Sequence, residues 1–175
     1  LKVELAGGYY GYRLNSLVGA DSGDWRTNRF AAGKYLSDYR LLDVIGAVQY
    51  NGFGELWPVR VVGDYVHNYG ATAGDANGFG VDLLVGRASK KQDWRFAYGY
   101  AQAGVDAVLA AFSHDNTNIG TNYIQHTLAV DYVPMDNLIL NVTYYRYKPL
   151  DALYAGTTPP NDWQNRLRLN MMVAF

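Results

Sequence analysis

Apolar residues recur at every second position through most of the chain. A period of two belongs to a β-strand, whose successive side chains point to opposite faces of a sheet. The tail NRLRLNMMVAF shows it plainly: Leu167, Leu169, Met171, Val173 and Phe175 alternate with Arg166, Arg168, Asn170, Met172 and Ala174. The same alternation predicts eight strands, over 1–12, 39–50, 57–68, 78–89, 94–103, 123–133, 138–147 and 165–175. In the fifth, Trp94, Phe96, Tyr98 and Tyr100 oppose Arg95, Ala97, Gly99 and Ala101. Pro58 falls near a strand start, where a missing donor is tolerated. Asn51-Gly52 is a hairpin signal, and 134–137 reads as a tight turn. Within the long connections, 29–36 and 105–112 each predict a short helical stretch.

The connections alternate long and short, the short ones following the second, fourth and sixth strands. An up-and-down barrel with this spacing carries its tight turns on one rim and its long loops on the other. Both chain termini then lie on the short-turn rim. The strand count is even, and the lengths match the ~9–11 residues that a tilted strand needs to cross a bilayer.

Charge changes the reading most. The faces opposite the aliphatic rows carry Lys2, Glu4, Asp43, Arg60, Asp64, Asp82, Arg95, Asp131, Arg166 and Arg168. Charges point inward only where the interior is wet or fully paired. On the apolar faces, Tyr50, Trp57, Trp94, Tyr132 and Phe175 fall at the short-turn rim, and Tyr9, Tyr65, Tyr144 and Trp163 lie toward the long-loop rim. That is two aromatic girdles around an aliphatic band. A soluble barrel of the lipocalin type would have the reverse, an apolar interior and a charged exterior. The expected fold class is therefore all-β, a transmembrane antiparallel up-and-down β-barrel with eight strands visible. Residues 1–175 are read as one outer-membrane barrel domain or the C-terminal part of one.

Composition agrees. The 175 residues include 16 Tyr, 4 Trp and 19 Gly, no Cys, and a net charge of −1. Absence of cysteine removes disulfides and thiolate sites, and the balanced charge gives no nucleic-acid footprint. Mean hydropathy is −0.19, as expected where apolar and polar residues alternate. The chain begins at Leu1, directly in a strand, without Met or a signal peptide. A mature protein or a fragment is expected, and the C-terminal half of a larger barrel is favoured.

From about Trp94 to Phe175 the chain resembles bacterial outer-membrane porins, more narrowly the loosely defined "putative porin" family. The residues that carry this are DAVLAAFSHDN, the lead Gly120–Asn122 into a strand, the YVPMDNLILNVTYYRYKP hairpin and the terminal NRLRLNMMVAF. The resemblance implies passive diffusion of small hydrophilic solutes through a water-filled lumen in the bacterial outer membrane, with periplasmic termini. It implies contact with outer-membrane lipid and lipopolysaccharide, and a C-terminal strand ending in Phe175 that is read by the barrel-assembly machinery. Further partners would be a second copy of the chain or the remaining barrel strands.

The ten inward charges are five basic and five acidic, and either line a pore or knit a closed interior network that fills a small barrel. Loop 14–38 is expected at the surface rather than folded inward as a constriction. Asp75, Asp115 and Asn116 lack regular calcium-ligand spacing, so no metal or other cofactor is expected. His67, His114 and His126 have no evident triad partner, with His126 on the outward face beside Leu128, so no enzyme is expected. The competing reading is a small closed eight-stranded barrel with a structural or adhesive role through its long loops.

Overall fold

The computed structural model of the chain describes residues 1–12, 27–31, 34–72, 75–113, 116–155 and 158–174. Eight strands form one antiparallel meander: β1 (Lys2–Tyr12), β4 (Tyr39–Tyr50), β5 (Val59–Asn68), β6 (Asn77–Gly86), β7 (Trp94–Ala103), β8 (Tyr123–Met135), β9 (Leu138–Pro149) and β10 (Gln164–Val173). Each pairs with the next in chain order. The sheet is not closed: β1 and β10 are its margins. No helix among the described residues is long and apolar enough to cross a membrane.

The alternation read from the sequence sets the two faces. On the outer face, Val3, Leu5, Val44, Val48, Val61, Val81, Leu83, Phe96, Leu128, Val142, Leu167 and Leu169 are all exposed. The register places them in continuous rows, such as Val48 beside Val61 and Val61 beside Leu83. The inner face carries the ten charges read as inward, together with small residues at Ala6, Gly8, Gly80, Ala97, Gly99, Ala101 and Ala129. The core is therefore not under the aliphatic rows. It lies on the inner face at the long-loop end, where Tyr123, Tyr145 and Tyr147 pack with Ala103, Ala107 and Ile119. Beside it, Tyr35, Tyr39 and Leu41 pack with Leu109.

Three local expectations are corrected. Over 29–36 there is a small hairpin, β2 (Phe30–Ala31) with β3 (Lys34–Tyr35), instead of a helix. Phe30 and Tyr35 meet edge to face across the hairpin pair, and Tyr35 meets Tyr39 in the same way. At 134–137, β8 runs on through Pro134 by a bulge between Tyr132 and Met135. The turn shrinks to Asp136-Asn137, with Asn137 in the left-handed region at φ 66°. Of 105–112, only Ala110–Phe112 is helical, as one 3-10 turn. Phe175 and most of loop 14–38 lie outside the described residues.

Candidate functional site

The candidate site is the inner face with the segment laid over it. Register puts all ten inward charges on this face. Toward the short-turn rim, Glu4 binds Lys2 at 2.6 Å and also Arg60, two strands away. On the far side Arg95 donates to Asp131 at 2.8 Å. That pair opens a polar chain: Asn141 donates to Asp131 Oδ1 at 2.8 Å, and Asn141 Oδ1 accepts from Thr143 at 2.9 Å and Asn170 at 2.8 Å. Between these clusters lie Asp43, Asp64 and Asp82 on neighbouring strands. None of the three forms a salt bridge to a described residue. Asp64 and Asp82 are exposed to solvent, so water screens them. Gly99 gives Asp82 its room, because a Cβ there would collide with Asp82 Oδ1.

The inner face is partly covered. Segment 104–122, described at 104–113 and 116–122, leaves β7 and lies across it. Phe112 stacks on Tyr12 of β1 with centroids 5.4 Å apart. Asn116 accepts from Arg166 through its carbonyl at 2.8 Å and from Arg168 through Oδ1. One segment thus reaches strands at both margins. Neither Arg166 nor Arg168 forms an ion pair with a described carboxylate; they face Tyr145 and Thr143 of β9. Below the segment lies a cleft of about 190 Å³, lined among others by Asp64, Gly80, Ala101, Phe112 and Tyr123.

Asp106 anchors the segment and is fully buried. Its carboxylate accepts from Ser37 Oγ at 2.6 Å, Tyr39 Oη at 3.3 Å and the Arg29 N–H at 3.1 Å. Its carbonyl accepts from Asn68 Nδ2 at 2.7 Å. Asn28 adds a clamp: its Nδ2 donates to the Val105 and Val108 carbonyls, both at 2.9 Å, while its Oδ1 accepts from the Ala110 N–H at 2.7 Å. Parts of two long connections are thereby fastened, with the ends of β4 and β5, into one cap. Sequence reasoning missed Asp106 and Asn28. The available signal was the apolar run VLAAF inside a polar loop, which needs cover.

The short-turn rim holds Trp57, Trp94 and Tyr132 as a stacked belt. Trp94 lies 4.3 Å from Tyr132 and 6.2 Å from Phe96, and Trp57 lies 6.4 Å from Phe96, as ring centroids. Gly86 seats Trp57: its φ is 90°, and a Cβ there would stand 3.3 Å from the indole. At the same rim Asp93 Oδ2 closes the turn before β7. It accepts from Arg87 Nε at 2.9 Å, the Lys90 N–H at 2.9 Å, and the Ser89 N–H and hydroxyl at 3.2 Å. Burial opposes the Asp93 charge, but the Lys90 and Ser89 amides and the Arg87 guanidinium outweigh it and hold the carboxyl below its ordinary range.

The remaining candidates are dispersed. His67 shares a hydrogen bond with Asn77 at 2.8 Å, His126 shares one with Tyr98 at 2.9 Å, and His114 lies outside the described residues. Asp75 Oδ1 accepts from the Asn77 N–H at 3.0 Å, and Asp115 lies outside the described residues. Among the described residues no three His, Asp or Glu side chains gather as a metal site. No protein-family model, curated protein or solved structure matches the chain.

Proposed function

We propose that the chain forms the wall of a porin-type β-barrel in a bacterial outer membrane, through which small hydrophilic solutes diffuse passively. One observation carries the reading: the aliphatic rows are exposed from Val3 in β1 to Val173 in β10, while the ten inward charges lie on the opposite face. Burying one Val, Leu or Phe side chain is worth about 1.5–3 kcal/mol, so a sheet that leaves whole rows uncovered in water forgoes much of its driving force. Hydrocarbon supplies the missing cover. The Trp57–Phe96–Trp94–Tyr132 belt then sits at the periplasmic interface, where aromatic rings with one wet end are stable. The resemblance of the C-terminal hairpin and tail to porins supports the same reading.

In hydrocarbon the margins β1 and β10 must find partners, because unpaired backbone N–H and C=O groups cost several kcal/mol each. Additional strands on these margins give a lumen wide enough to conduct; eight strands alone leave an interior just filled by side chains. The exposed Asp64 and Asp82 suit a wet interior. Segment 104–122 then acts as the constriction, held across the lumen by Asp106 on one side and by Arg166 and Arg168 on the other.

The same segment favours a second reading, a closed and plugged barrel with a structural or adhesive role through its loops. Single-channel recording from the native protein in a planar bilayer separates them. A porin gives discrete conductance steps of uniform size. Insertion without conductance supports the plugged barrel, and a protein that stays dissolved without detergent overturns both.

A further inference from the structure

The outer face of the sheet holds no carboxylate along any of its eight strands, and its only charged residues are Arg40, Arg146 and Lys148. All three lie at the long-loop ends of their strands, in β4 and β9. Arg40 is satisfied by protein, donating to the Tyr69 carbonyl at 2.8 Å. Arg146 and Lys148 have no such acceptor among the described residues. Both rest against one ring: the Arg146 guanidinium and the Lys148 ammonium each lie 5.2 Å from the centroid of Trp163. His126 lies on the same indole with centroids 5.6 Å apart. The acids nearest in sequence do not answer them. Asp151 turns its carboxylate to the Leu153 N–H at 2.8 Å, and no salt bridge forms from Asp162.

Two cations gathered on one ring without an anion repel each other. A ring face attracts each cation but neutralises neither. Among the described residues no anion with several acceptor oxygens completes the arrangement. Toward the middle of the sheet, the next outward row is Leu128, Tyr144 and Leu167, exposed or half-exposed. The missing partner therefore carries negative charge above apolar chains.

We propose that Arg146, Lys148 and Trp163 bind the phosphate of a phosphorylated glycolipid in the leaflet at the long-loop rim. The two cations donate to phosphate oxygens, and Trp163 keeps their stems together at the interface. Acyl chains lie along the Leu128–Tyr144–Leu167 row. This inference rests on the membrane reading above.

The test uses native mass spectrometry of the whole protein released from vesicles that contain diphosphorylated lipid A, its dephosphorylated form or neither. Carbonate extraction of the vesicles comes first. Protein that carbonate strips from the bilayer overturns the membrane reading, and this inference with it. For protein that stays inserted, bound diphosphorylated lipid is expected. Removing its phosphates, or the double change Arg146→Gln with Lys148→Gln, should weaken retention about 10–100-fold, as for lost hydrogen bonds between charged groups. Lys148→Gln alone, which leaves Arg146 on Trp163, should fall between. Arg40→Gln should retain the lipid as the parent does. Equal retention by the double variant overturns the inference, as does an equal loss in Arg40→Gln. Displacement of the lipid by millimolar inorganic phosphate would make this a free-phosphate site and also overturn it.

Discussion

Ser37 donates its hydroxyl to Asp106 Oδ2 at 2.6 Å, across 69 residues of sequence. This contact joins the connection before β4 to the segment after β7, and the Asp106 carboxylate is fully buried. Replacing Asp106 by Ala leaves the Ser37 and Tyr39 hydroxyls and the Arg29 N–H without that acceptor. Each unsatisfied buried group costs about 1–3 kcal/mol. The cap is expected to loosen while the strands persist. Hydrogen exchange should rise over 104–113 and 27–31 in Asp106→Ala, less in Asp106→Asn, and stay unchanged in β5 and β6.

Leu169 lies in the middle of β10 on the outer face and is exposed. Arginine there should destabilise the protein in a bilayer by ~2–4 kcal/mol. The measurement is reversible unfolding in lipid vesicles with denaturant. Ile45, exposed on the inner face opposite Asp64, should accept Arg at a much smaller cost.

Arg166 and Arg168 both reach Asn116 and lack a carboxylate partner among the described residues. Changing both to Glu should leave the strands folded, shift ion selectivity toward cations and release the segment from β10. Reversal potentials under a salt gradient report the first effect. Protease sensitivity around 116 reports the second. A double variant that does not fold points to a sealed interior.

Asp93 gives a pH test outside the strands. Its folded pKa lies below the ordinary carboxylate value, so its contribution is fully present above the unfolded pKa of ~3.9. It is lost as pH falls through the folded value. The turn before β7 should therefore hold constant protection from neutral pH down to about 4 and weaken below. Amide exchange at Ser89 and Lys90 should follow that course and lose its acid dependence in Asp93→Asn.

The strands were legible because alternation is a local property. The bounds of β4 and β7 match the reading at both ends. The charged face was legible for the same reason: parity within a strand assigns Asp43, Asp64 and Asp82 to one face before any pairing is known. The cap was not. Asp106 is one acid in a loop until Ser37, Tyr39 and Arg29 converge on it from 67 to 77 residues away. The 29–36 stretch misled because Arg29, Ala31, Ala32, Lys34 and Leu36 are good helix formers, whereas Phe30 pairs with Tyr35 in a hairpin. The Arg146–Trp163–Lys148 cluster was half legible: Trp163 was placed at the long-loop rim, but the two cations beside it needed the register of β9.

The central claim is that the exposed aliphatic rows face lipid and the charged face does not. Nitroxide labels placed one at a time at Val81 and Leu169 on the outer face, and at Ile45 and Asn170, which are exposed on the inner face, test it directly in bilayers. Labels at Val81 and Leu169 should collide with dissolved oxygen and be shielded from a water-soluble nickel chelate. Labels at Ile45 and Asn170 should show the opposite. Nickel access at Val81 and Leu169 equal to that at Ile45 and Asn170 would contradict the claim.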